Sequence, residues 1–241
     1  MYPQQGAWTP PQPPPRNDRK ILVQVLVAVA LVVVVAVVGV VIVLMTRDKA
    51  AAGPSLPTVP RNTAADGSVR VGDGAVVVRL VADLQCPACK SFEQHNGRVL
   101  EEAVEKGDAA VEYSVITFLD RASTDKYSSR AGNASYCVAN SGTENYQRWL
   151  ATMFERQPAE GGAGLSDSAL IEIAEGAGYT DSSVAQCITE RTYETYLRQK
   201  TQEVLSSGVN STPTVLINGT QLANRDLAAD GFLAAAIAAA R

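Results

Sequence analysis

Two cysteines stand three residues apart in Cys86-Pro87-Ala88-Cys89. A pair at that spacing can close a small-loop disulfide or supply half of a metal site. The apolar run Ala75-Val76-Val77-Val78, continued by Leu80 and Val81, leads into it, and a segment of helical pattern leaves it, from Pro87 to Lys106. The pair therefore belongs at a strand-to-helix turn. Cys86 takes the N-cap position and Pro87 the first helical position, where proline's missing N–H costs nothing. A sulfur at that place faces unpaired backbone N–H groups and the positive end of the helix dipole. Both favour the thiolate, which is the reactive form of cysteine. A zinc site would need a second half. Cys137 and Cys187 are far apart, form no second Cys-x-x-Cys, and the one histidine is His95. A four-thiolate site is allowed by arithmetic, but the spacing is unlike a zinc ribbon or finger. Thiol–disulfide exchange at Cys86 and Cys89 is the chemistry expected, with no metal and no separate cofactor.

The elements that must position this pair follow from the surrounding pattern. Val69 and Val71 alternate with polar residues before Gly72-Asp73-Gly74, which predicts a short edge hairpin into a strand at 75–82. Asn96-Gly97 predicts a kink in the helix that follows, since glycine in a helix interior costs about 1 kcal/mol. Ala110, Val111, Tyr113, Val115, Ile116 and Phe118 predict a buried strand over 110–119. Strand, helix and strand make a βαβ unit with a parallel pair. Helical patterns then run over 125–140, 144–156, 167–176 and 182–206, with Ser166 as N-cap of the third. So many helical residues between strands predict an inserted helical subdomain, 124–206, rather than one crossover. Strand pattern returns at Thr214-Val215-Leu216-Ile217, Asn218-Gly219 predicts a hairpin turn, and an Ala-rich helix is expected from Asp226 to the end.

The N-terminal part is of another kind. Residues 1–20 are rich in Pro and Gln, without apolar periodicity, and read as a disordered tail. Ile21 to Met45 holds one polar residue, Gln24, and no charge. That is longer than the roughly 20 residues that span a bilayer and longer than the core of a signal peptide. An uncleaved transmembrane helix is expected at 21–45, followed by a Pro- and Gly-containing linker over 46–67 and a folded domain over 68–241. Arg16, Arg19 and Lys20 before the span, against Arg47 and Lys49 after it, place the N-terminus in the cytoplasm. An even number of cysteines fits an oxidising compartment on the other side. Of the chain's net charge of −4, residues 1–65 carry six Lys/Arg and two Asp/Glu, so the remainder carries −8. An acidic exported domain has no electrostatic footprint for nucleic acid.

Ser211-Thr212-Pro213-Thr214 stands immediately before the late strand, where a proline is tolerated because its missing N–H breaks no ladder. Together, the Cys-Pro-Ala-Cys turn, the helical insertion and the run Gly208-Val209-Asn210-Ser211-Thr212-Pro213-Thr214-Val215 resemble the DsbA-like thiol–disulfide oxidoreductases of the thioredoxin-fold family. The resemblance extends over residues 68–241, and within the family the membrane-anchored proteins of actinobacteria are most similar. It implies an α/β thioredoxin-like fold with an inserted helical subdomain, Cys86 and Cys89 as the catalytic pair, and Pro87 and Ala88 shaping that pair. It further implies a cis Pro213 lying against the pair and a Thr212 backbone that binds substrate as an added strand. Its implied partners are exported cysteine-containing proteins and a membrane redox partner of the DsbB or vitamin K epoxide reductase type.

The sequence departs from the family pattern at three places. Thr212 is not the valine of the best-known oxidases, no histidine lies between the cysteines, and Leu80 stands where many relatives carry a buried glutamate. Asp83, nearer the pair, reads as the residue that ends the strand. His95 reads as a helix position away from the pair. Cys137 and Cys187, on predicted helices, read either as a second redox pair or as a structural disulfide. The structural reading is the one expected, and similar extra pairs in anchored relatives agree with it.

Overall fold

The computed structural model describes residues 58–241 and, ahead of them, helical residues at 23, 24, 26, 28, 29 and 31–38. The expected tail at 1–20, most of the expected span at 21–45 and the linker to residue 57 lie outside the described residues. Among the described residues no helix is long and apolar enough to cross a membrane. The valines and leucines described between residues 23 and 38 are exposed. Residues from Pro57 onward form one compact unit.

The strands are β1 (Val69–Val71), β2 (Val76–Ala82), β3 (Ala109–Val115), β4 (Thr214–Ile217) and β5 (Thr220–Gln221). They form one mixed sheet in the order β1-β3-β2-β4-β5. β2 and β3 are parallel, with Leu80 opposite Tyr113, and β4 runs antiparallel to β2, with Val215 opposite Leu80. The helix α1 (Pro87–Glu105) connects β2 to β3. Five helices form the insertion: α2 (Tyr127–Ser141), α3 (Tyr146–Glu155), α4 (Asp167–Gly176), α5 (Ser182–Glu190) and α6 (Glu194–Ser206). The chain closes with α7 (Phe232–Ala239). Val76, Val78, Leu80 and Ala82 alternate along β2 into a core that continues through Trp149, Met153 and Leu170 of the insertion.

Several local expectations need correction. β1 pairs antiparallel with β3 rather than forming a hairpin with β2. The connection passes the start of β3, and a Cβ on Gly74 would lie 2.5 Å from the Ala109 nitrogen, so only glycine can make the crossing. The strand expected over 110–119 stops at Val115, opposite Ala82 where its partner β2 ends; beyond it the Leu119 N–H donates to the Asp83 carboxylate at 2.8 Å. The helix expected over 182–206 is two helices, separated at Arg191, which adopts a left-handed φ of 56°. The Tyr193 N–H freed by the break donates to Asn133 Oδ1 at 2.8 Å. The last helix begins after Gly231, at φ 74°, rather than at Asp226. α1 is one continuous helix through Asn96-Gly97, with the Asn96 amide donating to Leu227 O at 2.9 Å. Residues 61–67, expected within the linker, are held by the domain: Arg61 N–H donates to Asn140 Oδ1 and the Asn62 amide to Ala139 O.

Other expectations match. Ser166 caps α4 by accepting from Ala169 N–H at 3.2 Å. Asn218 and Gly219 both take positive φ, as a tight hairpin turn requires, between β4 and β5.

Candidate active site

β2 and α1 deliver the two cysteines. The strand ends at Ala82, the chain turns through Asp83-Leu84-Gln85, and Cys86 occupies the N-cap of α1 in extended conformation, with Pro87 inside the first turn. The Cys86 N–H donates to Asp83 O at 3.0 Å and Lys90 N–H donates to Cys86 O at 3.1 Å, so the turn and the first helical bond hold Cys86 from both sides. From the insertion, the Gln157 amide donates to Leu84 O and Cys86 O, both at 3.0 Å. Neither cysteine of the pair is in a disulfide.

The two thiols are in unlike surroundings. Cys86 is 7% exposed and Cys89 1%. The Cys89 thiol donates to the Cys86 sulfur, and backbone N–H groups of Cys89 and Ala88 point at it, which pulls the Cys86 pKa from 9.0 down to about 6 against the opposing effect of burial. Burial pushes Cys89 well above 9.0, and its hydrogen bond to Cys86 adds to this. One thiol is thus ionised at neutral pH and its neighbour keeps its proton. That is the asymmetry required for one sulfur to attack, be attacked and leave while the other holds a proton in reserve.

The loop before β4 faces this pair. The Thr212–Pro213 peptide bond is cis, and Cys86 Sγ lies 3.5 Å from Thr212 O. The structure thus brings Cys86, Cys89, Thr212 and Pro213 together across 126 residues of sequence. Ala88, Thr212 and Pro213 line a groove of about 270 Å³ whose other wall includes Ser91, Phe92 and His95. His95 is exposed but belongs to this groove, and its Nδ1 donates to Ser91 O at 2.7 Å. The spacing 88, 91, 95 puts these residues on one helix face, a signal that was present in the sequence. Pro87 is exposed at the helix entry.

Asp83 is the residue whose role the sequence reading understated. It does follow the last residue of β2, yet its side chain is fully buried. Its carboxylate accepts from Gln85 N–H at 2.9 Å, Leu119 N–H at 2.8 Å and Ser128 Oγ at 2.7 Å. Those partners come from the active-site turn, from the segment that follows β3 and from α2. The carboxylate therefore pins the insertion to the turn that presents Cys86. Burial raises its pKa from 3.8 to about 6 despite the three donors, and the negative charge of Cys86 adds to the rise. The visible signal was one acid set between apolar Ala82 and Leu84, three residues before the first cysteine.

Cys137 and Cys187 are joined in a disulfide that ties α2 to α5 across 50 residues. They take no part in the assembly around Cys86.

Comparisons with known proteins agree with this geometry. Residues 66–234 match the family model described as "Thioredoxin". DsbA from Mycobacterium tuberculosis, in its reduced form, superposes with a TM-score of 0.58 at 32% identity, covering 72% of this chain and 99% of that one. The DsbG disulfide oxidoreductase of the same organism gives 0.59 at 32% identity over 72% of this chain and 94% of that one. MdbA, a thiol–disulfide oxidoreductase from Corynebacterium diphtheriae, shares the fold with a TM-score of 0.60 at 24% identity, over 74% and 92% of the two chains. The curated relatives are versions of the serine/threonine-protein kinase PknE of Mycobacterium, 34% identical over 108 residues; the match covers 43% of this chain and 19% of the kinase. A strand-to-helix turn bearing two unlike thiols, a facing cis-proline loop and a family match over most of the folded part lead to one assignment: the chain belongs to the thioredoxin family and is a DsbA-like disulfide oxidoreductase.

Proposed function

We propose that the protein forms disulfides in exported cysteine-containing proteins, with Cys86 as the exchanging sulfur and Cys89 as its partner. The observation that carries this reading is the split between the two thiols. Cys86 is drawn down to about 6 while Cys89 is pushed well above 9.0, beside the groove at Thr212 and Pro213. Starting from the oxidised pair, a substrate thiolate attacks Cys86 Sγ, and the Cys86–Cys89 bond breaks with its electrons going to Cys89. Cys89, with its raised pKa, takes up a proton. The second substrate thiolate then attacks the substrate sulfur of the mixed disulfide and expels Cys86 as a thiolate. Two electrons have moved from substrate to enzyme; of the two protons the substrate thiols give up, one is held by Cys89 and the other goes to solvent, because Cys86 leaves as a thiolate. A low pKa makes Cys86 the better leaving group in that last step. Thr212 offers backbone to an extended substrate segment, and Pro87 and Ala88 shape the rim. The reduced pair is returned to the disulfide by a membrane partner of the DsbB or vitamin K epoxide reductase type.

The working place of the domain is outside the cytoplasm, on a single N-terminal membrane anchor with a cytoplasmic N-terminus. The apolar, uncharged run from Ile21 to Met45 and the exposed valines and leucines of its described helical residues support the anchor. The basic residues ahead of the run support the orientation. A second reading, a reductase or isomerase at the same site, is favoured by Thr212 standing before the proline, and the reduction potential separates the two.

The test is trapping. With Cys89→Ser in the full chain, exported proteins accumulate on Cys86 as thiol-sensitive adducts on a non-reducing gel, and Cys86→Ser removes them. Adducts that persist in Cys86→Ser, or none in Cys89→Ser, would contradict the assignment of roles.

A further inference from the structure

The second cysteine pair is unequally buried. Cys137 is 2% exposed, whereas Cys187 is partly exposed. The disulfide forms part of the wall of a pocket of about 400 Å³ whose rim is polar and carries both signs of charge, with Arg61, Asp181, Ser183, Gln186, Glu190 and Thr192 around it. On the buried side, the Asn133 NH₂ group lies 3.3 Å from Cys187 O and 3.6 Å from Cys137 Sγ, so its two hydrogens serve both, and its Oδ1 is committed to Tyr193 N–H. Both cysteines therefore line a cavity of small-molecule size, with Cys187 the more exposed residue, and Cys137 Sγ has a hydrogen-bond donor at its back.

We propose that Cys187 is a second site of thiol exchange, which takes a low-molecular-weight thiol from solution. The thiol gives its proton to water, and the thiolate attacks Cys187 Sγ. A bond forms between the incoming sulfur and Cys187, the Cys137–Cys187 bond breaks, and its electron pair leaves with Cys137. The incoming sulfur is oxidised to the disulfide level and Cys137 is reduced. The Asn133 amide donates to the departing sulfur, and water supplies the proton that completes the thiol. Attack in the opposite sense is disfavoured, because Cys137 is the more buried residue of the pair. The exchange opens the tie between α2 and α5 and involves neither Cys86 nor Cys89.

The experiment uses the oxidised full chain and reduced glutathione as the probe thiol. Aliquots are quenched with N-ethylmaleimide and mapped by mass spectrometry. The expected product carries one glutathione on the Cys187 peptide and one maleimide on the Cys137 peptide. Ser183→Trp and Gln186→Trp, each of which fills the pocket from its exposed rim, slow adduct formation while circular dichroism shows the fold intact. Glutathione on Cys137, no adduct before the chain unfolds, or an unchanged rate in both tryptophan variants would overturn the proposal.

Discussion

Three residues of sequence separate Cys86 from Cys89, and one helix N-terminus holds both; fifty separate Cys137 from Cys187, and two helices hold one each. The elements are the same and the chemistry is not. At the first pair, a thiol hydrogen bond and two backbone N–H groups converge on one sulfur, and the partner lies in apolar surroundings. Each redox state of that pair is held by a different set of bonds, so the two states can be brought close in energy. At the second pair there is no helix N-terminus and no cis-proline loop. There is a long loop, and closing it removes disorder from the unfolded chain. Exposure does not separate the two pairs: Cys187 is more open to solvent than Cys86. What separates them is the set of donors aimed at a particular sulfur.

The largest effect that would test this contrast is loss of turnover. Cys86→Ser abolishes oxidation of a dithiol peptide, followed by fluorescence or mass, while Cys137→Ser leaves the rate near wild type. Comparable losses in both variants would erase the distinction. Next in size, Cys137→Ser destabilises the domain by about 4 kcal/mol, the loop-closure value for a ring of this length. Denaturant unfolding measures it, and the Cys86–Cys89 potential stays near its wild-type value.

Asp83→Asn comes third. Asparagine has one acceptor oxygen and would turn an NH₂ group toward either the Gln85 or the Leu119 N–H, which the two carboxylate oxygens now satisfy separately, a loss of about 1–3 kcal/mol. Removing the negative charge also lowers the Cys86 pKa further below its position of about 6, which iodoacetamide labelling against pH reads as a downward shift of the midpoint relative to wild type. The pH dependence of stability has two windows of opposite sign. Asp83 has a raised folded pKa, so its contribution to stability falls as pH rises from 3.8 through about 6, and Asp83→Asn removes that slope. Cys86 has a lowered folded pKa, so the reduced domain gains stability as pH rises from about 6 to 9.0 and loses it as pH falls back through about 6. The smallest effect is Ser166→Ala, which removes the cap bond to Ala169 and costs about 1 kcal/mol in thermal or denaturant unfolding. Exchange at Cys86 is unchanged by it.

Much of the site was legible because its determinants are local. An apolar run, a Cys-Pro step and a helical pattern define the strand, turn and helix, and each acts within a few residues of the cysteines. Asn218-Gly219 and Ser166 were readable for the same reason. What escaped depends on partners distant in the chain. Gly72-Asp73-Gly74 looks like a hairpin turn until Ala109 arrives beside Gly74. The break at Arg191 needs Asn133 to receive the freed Tyr193 N–H, and nothing within the run 182–206 announces it. Asp83 looked like a strand terminator because two of its three partners, Leu119 and Ser128, lie 36 and 45 residues downstream. His95 was within reach, since its position relative to Ala88 repeats the helix face, but its groove also needs Thr212 and Pro213.

The most direct test is the reduction potential of Cys86–Cys89, by equilibration of the protein with glutathione buffers. A domain that donates disulfides should lie near the roughly −120 mV of the strong oxidant DsbA. A value near the roughly −270 mV of thioredoxin would contradict the account and make the domain a reductant of disulfides.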